Sequence, residues 1–266
     1  MFHLLLITSC DSNPNLAELC QNNKEICSEF GEDSWCKAQR NAISLAKINL
    51  VSKNSTEKIV EKDSQQYRLL VSYEDYIDCM SLASQIQHVK LKEKTVLRTN
   101  NLLKAKAKLS QLTEDTAESN HPHLLYYHWT RRSDEQALAQ FLQLEGSDLL
   151  ENSTAQYHLA TYYVKRNINK TLGLLFYSLE LHQPGSILEA EVLQTLATIF
   201  TNKEEYNQAY IWLKTYQLVK GEANDGLAEK LALYQQAYNL DNEFLDKVAE
   251  NTLTKIQSGT FTTPKY

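Results

Sequence analysis

Residues 159–179 read LATYYVKRNINKTLGLLFYSL, and a similar pattern of small and large apolar residues occurs twice more in the chain. The segments 124–144 and 196–216 align with it, at offsets of 35 and 37 residues. Each segment contains two runs with apolar residues at helical spacing, separated by a short polar stretch. A unit repeated at this period predicts a stack of helix pairs that bury a shared core.

Equivalent positions of the three segments carry residues of similar character, and this similarity supports the alignment. In chain order, the aligned sets are Leu124, Leu159 and Leu196; Leu125, Ala160 and Ala197; Ala137, Leu172 and Ala209; Phe141, Phe176 and Leu213; and Leu144, Leu179 and Tyr216. The pattern resembles the tetratricopeptide (TPR) repeat over roughly residues 118–222, and to 257 if the segment from Leu227 adds a capping pair. The resemblance implies a short α-solenoid.

The TPR resemblance also implies a groove, because the first helices of stacked pairs line a concave surface. Aromatic rings suit the apolar parts of a bound peptide, and amide groups suit its backbone. Trp129 and Tyr157 fit equally well as core residues between repeats, so the sequence leaves their role open. The implied groove positions are Tyr126, Trp129, Tyr157, Thr161, Lys165, Gln194, Thr198 and Asn202.

The composition favours helices throughout the chain. Its 266 residues include only 7 Gly and 4 Pro, few enough for long uninterrupted helices. The net charge of -6 argues against nucleic acid as a partner. The predicted fold class is therefore all-α: disulfide-stapled N-terminal helices and a long helix, followed by the TPR-like repeats.

The N-terminus, MFHLLLITSC, resembles the lipobox of bacterial lipoproteins. The resemblance implies that residues 1–9 are a signal peptide, removed in the mature protein, and that Cys10 carries the lipid. It places the protein on the periplasmic side of a bacterial membrane, and Asp11 after the cysteine favours the inner membrane. An ordinary apolar N-terminus is the alternative, since the stretch contains no Lys or Arg.

Four further cysteines lie in the N-terminal third, an even number that is typical of two disulfides in an oxidising compartment. They are Cys20, Cys27, Cys36 and Cys79. Three pairings are open. A helix–turn–helix around Gly31 favours Cys27 with Cys36 across the turn, which leaves Cys20 for Cys79. The spacing lacks the short Cys-x2–4-Cys pair that structural zinc sites use, so a structural role is preferred.

The remaining pattern predicts the domain layout. Residues 51–66 are polar and predict a loop, and apolar periodicity over 73–112 predicts one long helix or two helices divided near 99–101. Polar residues at 113–121 predict a linker. The resulting layout is an N-terminal helical region over 10–115, the repeats over 118–257 and a disordered tail over 258–266.

The long helix carries a strong local excess of positive charge. Between Lys90 and Lys108 the chain has seven basic residues and one acid, Glu93. Lys90, Lys94 and Arg98 fall on one stripe of a helix. This basic face predicts either a surface for anionic lipid or an acidic partner, or simply a solvated helix face.

The sequence contains none of the usual catalytic or nucleotide-binding motifs. His121, His123 and His128, with Glu118, are the only candidates considered for a metal site, and surface histidines are the preferred interpretation. We therefore predict no catalytic residue, no metal and no cofactor. A hydrolase or metal-dependent enzyme is the least favoured function.

Trp35-Cys36, the long helix and the run from His123 to Trp129 resemble a family of bacterial lipoproteins of unknown function. The resemblance extends over the whole chain and implies the compartment but no activity. The preferred hypothesis is a non-enzymatic, membrane-tethered periplasmic scaffold or adaptor that binds another envelope protein or peptide. The alternative is a surface protein that binds anionic lipid through the basic face.

Overall fold

The computed structural model describes residues 16–52, 59–87, 90–221 and 225–263, and within these ranges every regular element is a helix. The all-α prediction is confirmed. The chain divides into two compact units, residues 1–134 and 135–266. The boundary lies inside the first predicted repeat, after its first helix, whereas the sequence had placed the start of the repeat domain at residue 118.

Unit 1 contains six described helices: α1 (Leu16–Asn22), α2 (Lys24–Cys27), α3 (Lys37–Ser52), α4 (Ile59–Ser84), α5 (Lys92–Asp115) and α6 (Pro122–Arg132). The α3, α4 and α5 helices pack in sequence, and α6 packs on α4. Their core contains Phe30, Ile43, Tyr73, Tyr76 and Met80, all buried.

The helix boundaries differ from the predicted ones in several places, among them the predicted linker 113–121, into which α5 continues as far as Asp115. Much of the polar stretch 51–66 is helical, since α3 continues to Ser52 and α4 begins at Ile59. The α4 helix ends at Ser84 and α5 begins at Lys92, so the predicted division near 99–101 is wrong. Asn101 lies inside α5, where its side chain donates to the carbonyl of Gly31 at 2.9 Å and accepts from the Gly31 amide at 3.0 Å.

The disulfides join Cys20 to Cys27 and Cys36 to Cys79, so the predicted pairing is wrong. The helical segment before Gly31 is not continuous: α1 ends at Asn22 and α2 begins at Lys24, and the Asn23 side chain between them donates to the Leu19 carbonyl at 2.9 Å. This interruption brings Cys20 and Cys27 to a Cα–Cα distance of 5.7 Å. In a continuous helix, residues seven apart would be about 10 Å apart.

The second disulfide ties the residue before α3 to the C-terminal part of α4. Cys36 is buried, and its Cα lies 6.0 Å from that of Cys79. The packing of α3 on α4 determines this distance. The two bonded cysteines are 43 residues apart in the sequence. Local spacing along the chain contains no information about this packing.

Arg98 is buried in unit 1, so its predicted place on the basic face is wrong. Its Nε donates to Asp33 Oδ2 at 2.9 Å and its Nη1 donates to the Ala83 carbonyl at 3.0 Å. The guanidinium also lies 5.5 Å from the ring centroid of Trp35. Arg98 therefore joins three segments of unit 1: the stretch before α3, the end of α4 and the start of α5.

Asp33 remains ionised at this buried position because its charge is compensated. Burial alone would raise the pKa of the carboxyl group, but the hydrogen bonds from Arg98 and from the Trp35 amide outweigh it, and the pKa is lowered. A buried charge that is paired and hydrogen-bonded keeps its ionised form. Lys94, nearby on α5, adds to the lowering.

Unit 2 contains seven described α-helices: α7 (Glu135–Gln143), α8 (Ser153–Tyr163), α9 (Ile168–Glu180), α10 (Ala190–Asn202), α11 (Tyr206–Lys220), α12 (Asp225–Tyr238) and α13 (Asn242–Gln257). The α8 helix packs on α9, and α10 packs on α11. Both α12 and α13 also pack on α11.

The aligned positions of the three segments are core positions. Four of the five aligned sets are buried in all three segments, which explains why the spacing is repeated. The first segment nevertheless supplies α6 to unit 1 and α7 to unit 2. The buried sets are Leu124, Leu159 and Leu196; Leu125, Ala160 and Ala197; Ala137, Leu172 and Ala209; and Phe141, Phe176 and Leu213.

The tail is ordered through Thr263, so the predicted disorder is wrong for residues 258–263. Phe261 is buried, with its ring in edge contact with Trp212 at a centroid distance of 6.3 Å. The hydroxyl of Thr263 donates to Glu180 Oε2 at 2.6 Å. The composition of the tail did not predict this contact, because one buried aromatic residue is enough to hold a short segment on a core. Residues 264–266 lie outside the described part.

The predicted signal peptide and the lipidation site Cys10 lie outside the described residues. Among the helices that the structure describes, none is both long enough and apolar enough to cross a membrane.

Candidate functional site

A groove in unit 2 brings three of the predicted groove residues together. Gln194, Thr198 and Asn202 lie on the exposed side of α10, at helical positions i, i+4 and i+8. They line a cavity of about 120 Å³ that α11 and α12 close on the other side. We call this cavity the α10–α12 groove.

The floor and far wall of the α10–α12 groove are apolar and aromatic. Ala197 and Leu213 are buried at its base. Tyr216 of α11 and Leu227 of α12 are partly buried and also line it. A hydrogen bond of 2.6 Å between the hydroxyls of Thr201 and Tyr234 joins α10 to α12.

The polar rim of the α10–α12 groove has the donors and acceptors that a peptide backbone needs. The amides of Gln194 and Asn202 are exposed, and each offers both a donor and an acceptor. The hydroxyl of Thr198 instead donates to the Gln194 carbonyl at 2.9 Å. Lys230 is the one cation among the described lining residues, and no carboxylate lines the groove there.

The predicted groove residues of α8 are not part of this cavity. Tyr157 is partly buried against the unit 2 core, which favours the core interpretation of this residue. The hydroxyl of Thr161 donates to the His158 carbonyl at 2.8 Å. Lys165 is exposed, two residues beyond the end of α8.

The remaining predicted groove residues, Tyr126 and Trp129, belong to α6 in unit 1. Both are half-buried, and their rings meet edge to face at a centroid distance of 5.8 Å. The repeat alignment assigns both residues to the groove because it equates α6 with α8 and α10. However, α6 belongs to unit 1, whereas α8 and α10 belong to unit 2.

Sequence reasoning missed the half of the groove that α12 supplies. Leu227, Lys230 and Tyr234 are spaced i, i+3 and i+7, the pattern of one helix face. That spacing is a detectable signal, although the repeat pattern predicts only a capping pair in this segment. The sequence predicts Tyr216 only as a repeat position, but the side chain is partly exposed and also lines the groove.

A larger, more open cleft of about 480 Å³ lies at the turns before α11 and after α12. Tyr206 and Tyr238 line it, but their rings stack on each other at 3.5 Å and 9°, so their faces are already in contact. Glu205, also in the lining, forms an ion pair with Lys203 at 2.6 Å. Size alone does not make this cleft a site.

The three candidate metal-ligand histidines have structural contacts in unit 1, and the preferred interpretation as surface residues is wrong for His123 and His128, which are buried. The His121 Nδ1 accepts from the His123 amide at 3.3 Å, and the two rings lie 5.1 Å apart. The His128 Nε2 lies 3.2 Å from the Thr116 hydroxyl. Glu118 is exposed. Within the described ranges, no group of three or more His, Cys, Asp or Glu residues is arranged to hold a metal ion.

The buried His123 makes a testable contribution to stability. Burial, with smaller effects of His121 and Arg68, lowers the pKa of His123 to about 3. The unfolded chain has a histidine pKa of about 6.5, so it takes up a proton that the folded chain excludes. Stability is therefore lost as the pH falls below about 6.5. From there to about pH 5 we expect His123 to account for a loss of about 2 kcal/mol.

Urea denaturation at several pH values measures this contribution. The His123→Gln variant retains a polar side chain but cannot titrate, so its free energy of unfolding should fall less steeply below about pH 6.5. Above that pH, the difference between wild type and variant should be constant. Parallel curves for the two proteins across the acidic range would show that His123 is not the responsible group.

The comparisons with known proteins identify a family. Residues 7–214 match the family model described as "Protein of unknown function (DUF2989)". The match includes α10, and it ends within α11, before α12. No curated protein and no solved structure matches the chain. Because the family model covers well over half of the 266 residues, the chain belongs to the DUF2989 family of proteins of unknown function.

Proposed function

We propose that this protein is a non-enzymatic adaptor that binds an extended segment of another envelope protein in the α10–α12 groove. The observation that carries the proposal is the convergence of exposed Gln194 and Asn202 amides with an apolar floor in one cavity. Backbone groups of an extended peptide pair with such amides while one of its side chains enters the floor.

The size of the groove favours a peptide side chain over a small metabolite. Small-molecule sites usually enclose about 300–1,000 Å³, whereas this cavity has about 120 Å³. Lys230 at its rim favours a segment with a carboxylate near the inserted apolar side chain. The groove offers hydroxyls, amides and one ammonium group, and we assign it a binding role without catalysis.

The proposal includes a location on the periplasmic side of a bacterial membrane, with a lipid at Cys10 and preferably at the inner membrane. The lipobox-like sequence before Cys10 supports it. The two disulfides also support it, because such bonds persist in oxidising compartments. As part of the same proposal, the pairs α8–α9 and α10–α11 are TPR-like repeats.

The test is crosslinking in living cells, followed by affinity capture and mass spectrometry. Thr198→Arg places a long charged side chain in the groove, at a position where the native side chain is exposed. Gln194→Ala with Asn202→Ala removes the amides. We expect each variant to reduce the captured partner at least tenfold, the loss produced by about 1.4 kcal/mol of binding free energy.

A matched control is Asn251→Ala with Gln257→Ala, which removes two exposed amides from α13, outside the groove. This variant should capture the partner as wild type does. Circular dichroism and thermal melting show whether each variant is folded. Equal capture by wild type and by folded Thr198→Arg would contradict the groove assignment.

A further inference from the structure

The outward face of α5 has an apolar centre that no part of the described chain covers. Val96 and Leu103 are 59% and 60% exposed. They lie seven residues apart, two helical turns, and therefore on the same side of the helix. The opposite side of α5 packs into unit 1 through Asn101 and Ala105. The contacts of α5 within unit 1 therefore do not explain why two large apolar side chains lie in line on its outer face.

Two lysines border this apolar centre. Lys92 and Lys106 lie on one side of Val96 and Leu103, as their helical positions require, and both are exposed. Lys104, on the other side, is not part of this face, because its Nζ donates to the Glu29 carbonyl at 2.7 Å. With Arg98 buried in its ion pair, the segment from residue 90 to 108 still has six lysines and one acid, in a chain of net charge -6.

We propose that the outer face of α5, consisting of Lys92, Val96, Leu103 and Lys106, docks on an anionic lipid bilayer. The two apolar side chains enter the boundary between head groups and acyl chains, and the lysine stems lie along them with their ammonium groups at the phosphates. This inference goes beyond the proposed adaptor role, and it depends neither on the α10–α12 groove nor on a lipid at Cys10.

The residue types favour a bilayer over a protein partner. Protein interfaces are enriched in aromatic residues and arginine at their centres and depleted in lysine. The outer face of α5 has the reverse composition, with lysines, aliphatic side chains and no aromatic residue. Lysines near an anionic membrane each add a similar electrostatic contribution without needing a defined partner geometry.

The experiment measures binding of the full chain to vesicles by co-sedimentation. The chain carries Cys10→Ser, so that no lipid anchor contributes. The probes are vesicles of phosphatidylcholine alone and vesicles that also contain phosphatidylglycerol. We expect binding to the anionic vesicles only, weakened by salt. Lys92→Gln with Lys106→Gln should reduce it about tenfold or more, since each basic residue contributes roughly fivefold.

Two further variants make the result specific. Lys24→Gln with Lys62→Gln removes two exposed lysines of unit 1 that lie outside α5, and it should bind as wild type does. Val96→Ser with Leu103→Ser should weaken binding while leaving its salt dependence unchanged. The proposal is overturned if the protein does not bind anionic vesicles at low ionic strength, or if it binds neutral vesicles equally well. It is also overturned if the Lys24 and Lys62 control loses as much vesicle binding as the Lys92 and Lys106 variant, or if the serine variant binds as strongly as wild type.

Discussion

Replacing Arg98 by methionine should lower the free energy of unfolding by about 3–5 kcal/mol, as expected when one partner of a buried ion pair is removed. The substitution leaves the Asp33 carboxylate buried without its guanidinium, and the Ala83 carbonyl loses its donor. Both side chains of the pair are almost fully buried, at 4% and 3% exposure, so solvent cannot replace the lost contacts. Urea denaturation monitored by circular dichroism measures the loss.

Arg131→Met is the matched control, since Arg131 pairs with Glu74 at 3.2 Å but its side chain is 48% exposed. An exposed pair of this kind contributes up to about 1 kcal/mol. The double variant Asp33→Asn with Arg98→Met should recover part of the loss, because it leaves no unpaired buried charge. If Arg98→Met costs no more than Arg131→Met, Arg98 does not hold the segments of unit 1 together.

Removing the Cys36–Cys79 disulfide should have the second large effect on stability. A crosslink stabilises mainly by restricting the unfolded chain, more strongly for longer loops. For the 43-residue separation between Cys36 and Cys79, loop closure predicts about 4 kcal/mol. Because Cys36 is buried, alanine there also leaves a void in the unit 1 core, which adds to the loss.

The other disulfide provides the comparison. Cys20 and Cys27 are only seven residues apart, and loop closure predicts about 2.5 kcal/mol for this bond. Cys36→Ala with Cys79→Ala should therefore lose clearly more stability than Cys20→Ala with Cys27→Ala, as measured by urea denaturation under non-reducing conditions. The reverse order would mean that the constraint on the unfolded chain is not the main contribution.

The repeated core positions could be predicted because helical periodicity is a local property. Leu159 and Leu196 align in sequence and are both buried, as are Phe176 and Leu213 in the following helices. Each of these residues lies on the apolar face of its own helix, and that face must pack on something. The pattern did not show that α6 and α7 belong to different units, because it does not specify which helices pack together.

The candidate site was predicted only in part, for the same reason. Gln194, Thr198 and Asn202 were assigned to a groove by helix register and do line one. Their partners Lys230 and Tyr234 come from α12, about thirty residues later, and the packing of α12 on α11 brings them there. Register along one helix cannot identify the helix that forms the opposite wall.

Cysteine pairing and the position of Arg98 show where local information ends. The amino-acid pattern alone establishes an all-helical chain, its main apolar faces and an even set of cysteines, because each depends on composition or on neighbours within a few turns. Tertiary packing decided that Cys36 meets Cys79 and that Arg98 turns inward to Asp33. These partners are 43 and 65 residues apart, and only the three-dimensional arrangement of α3, α4 and α5 brings them together.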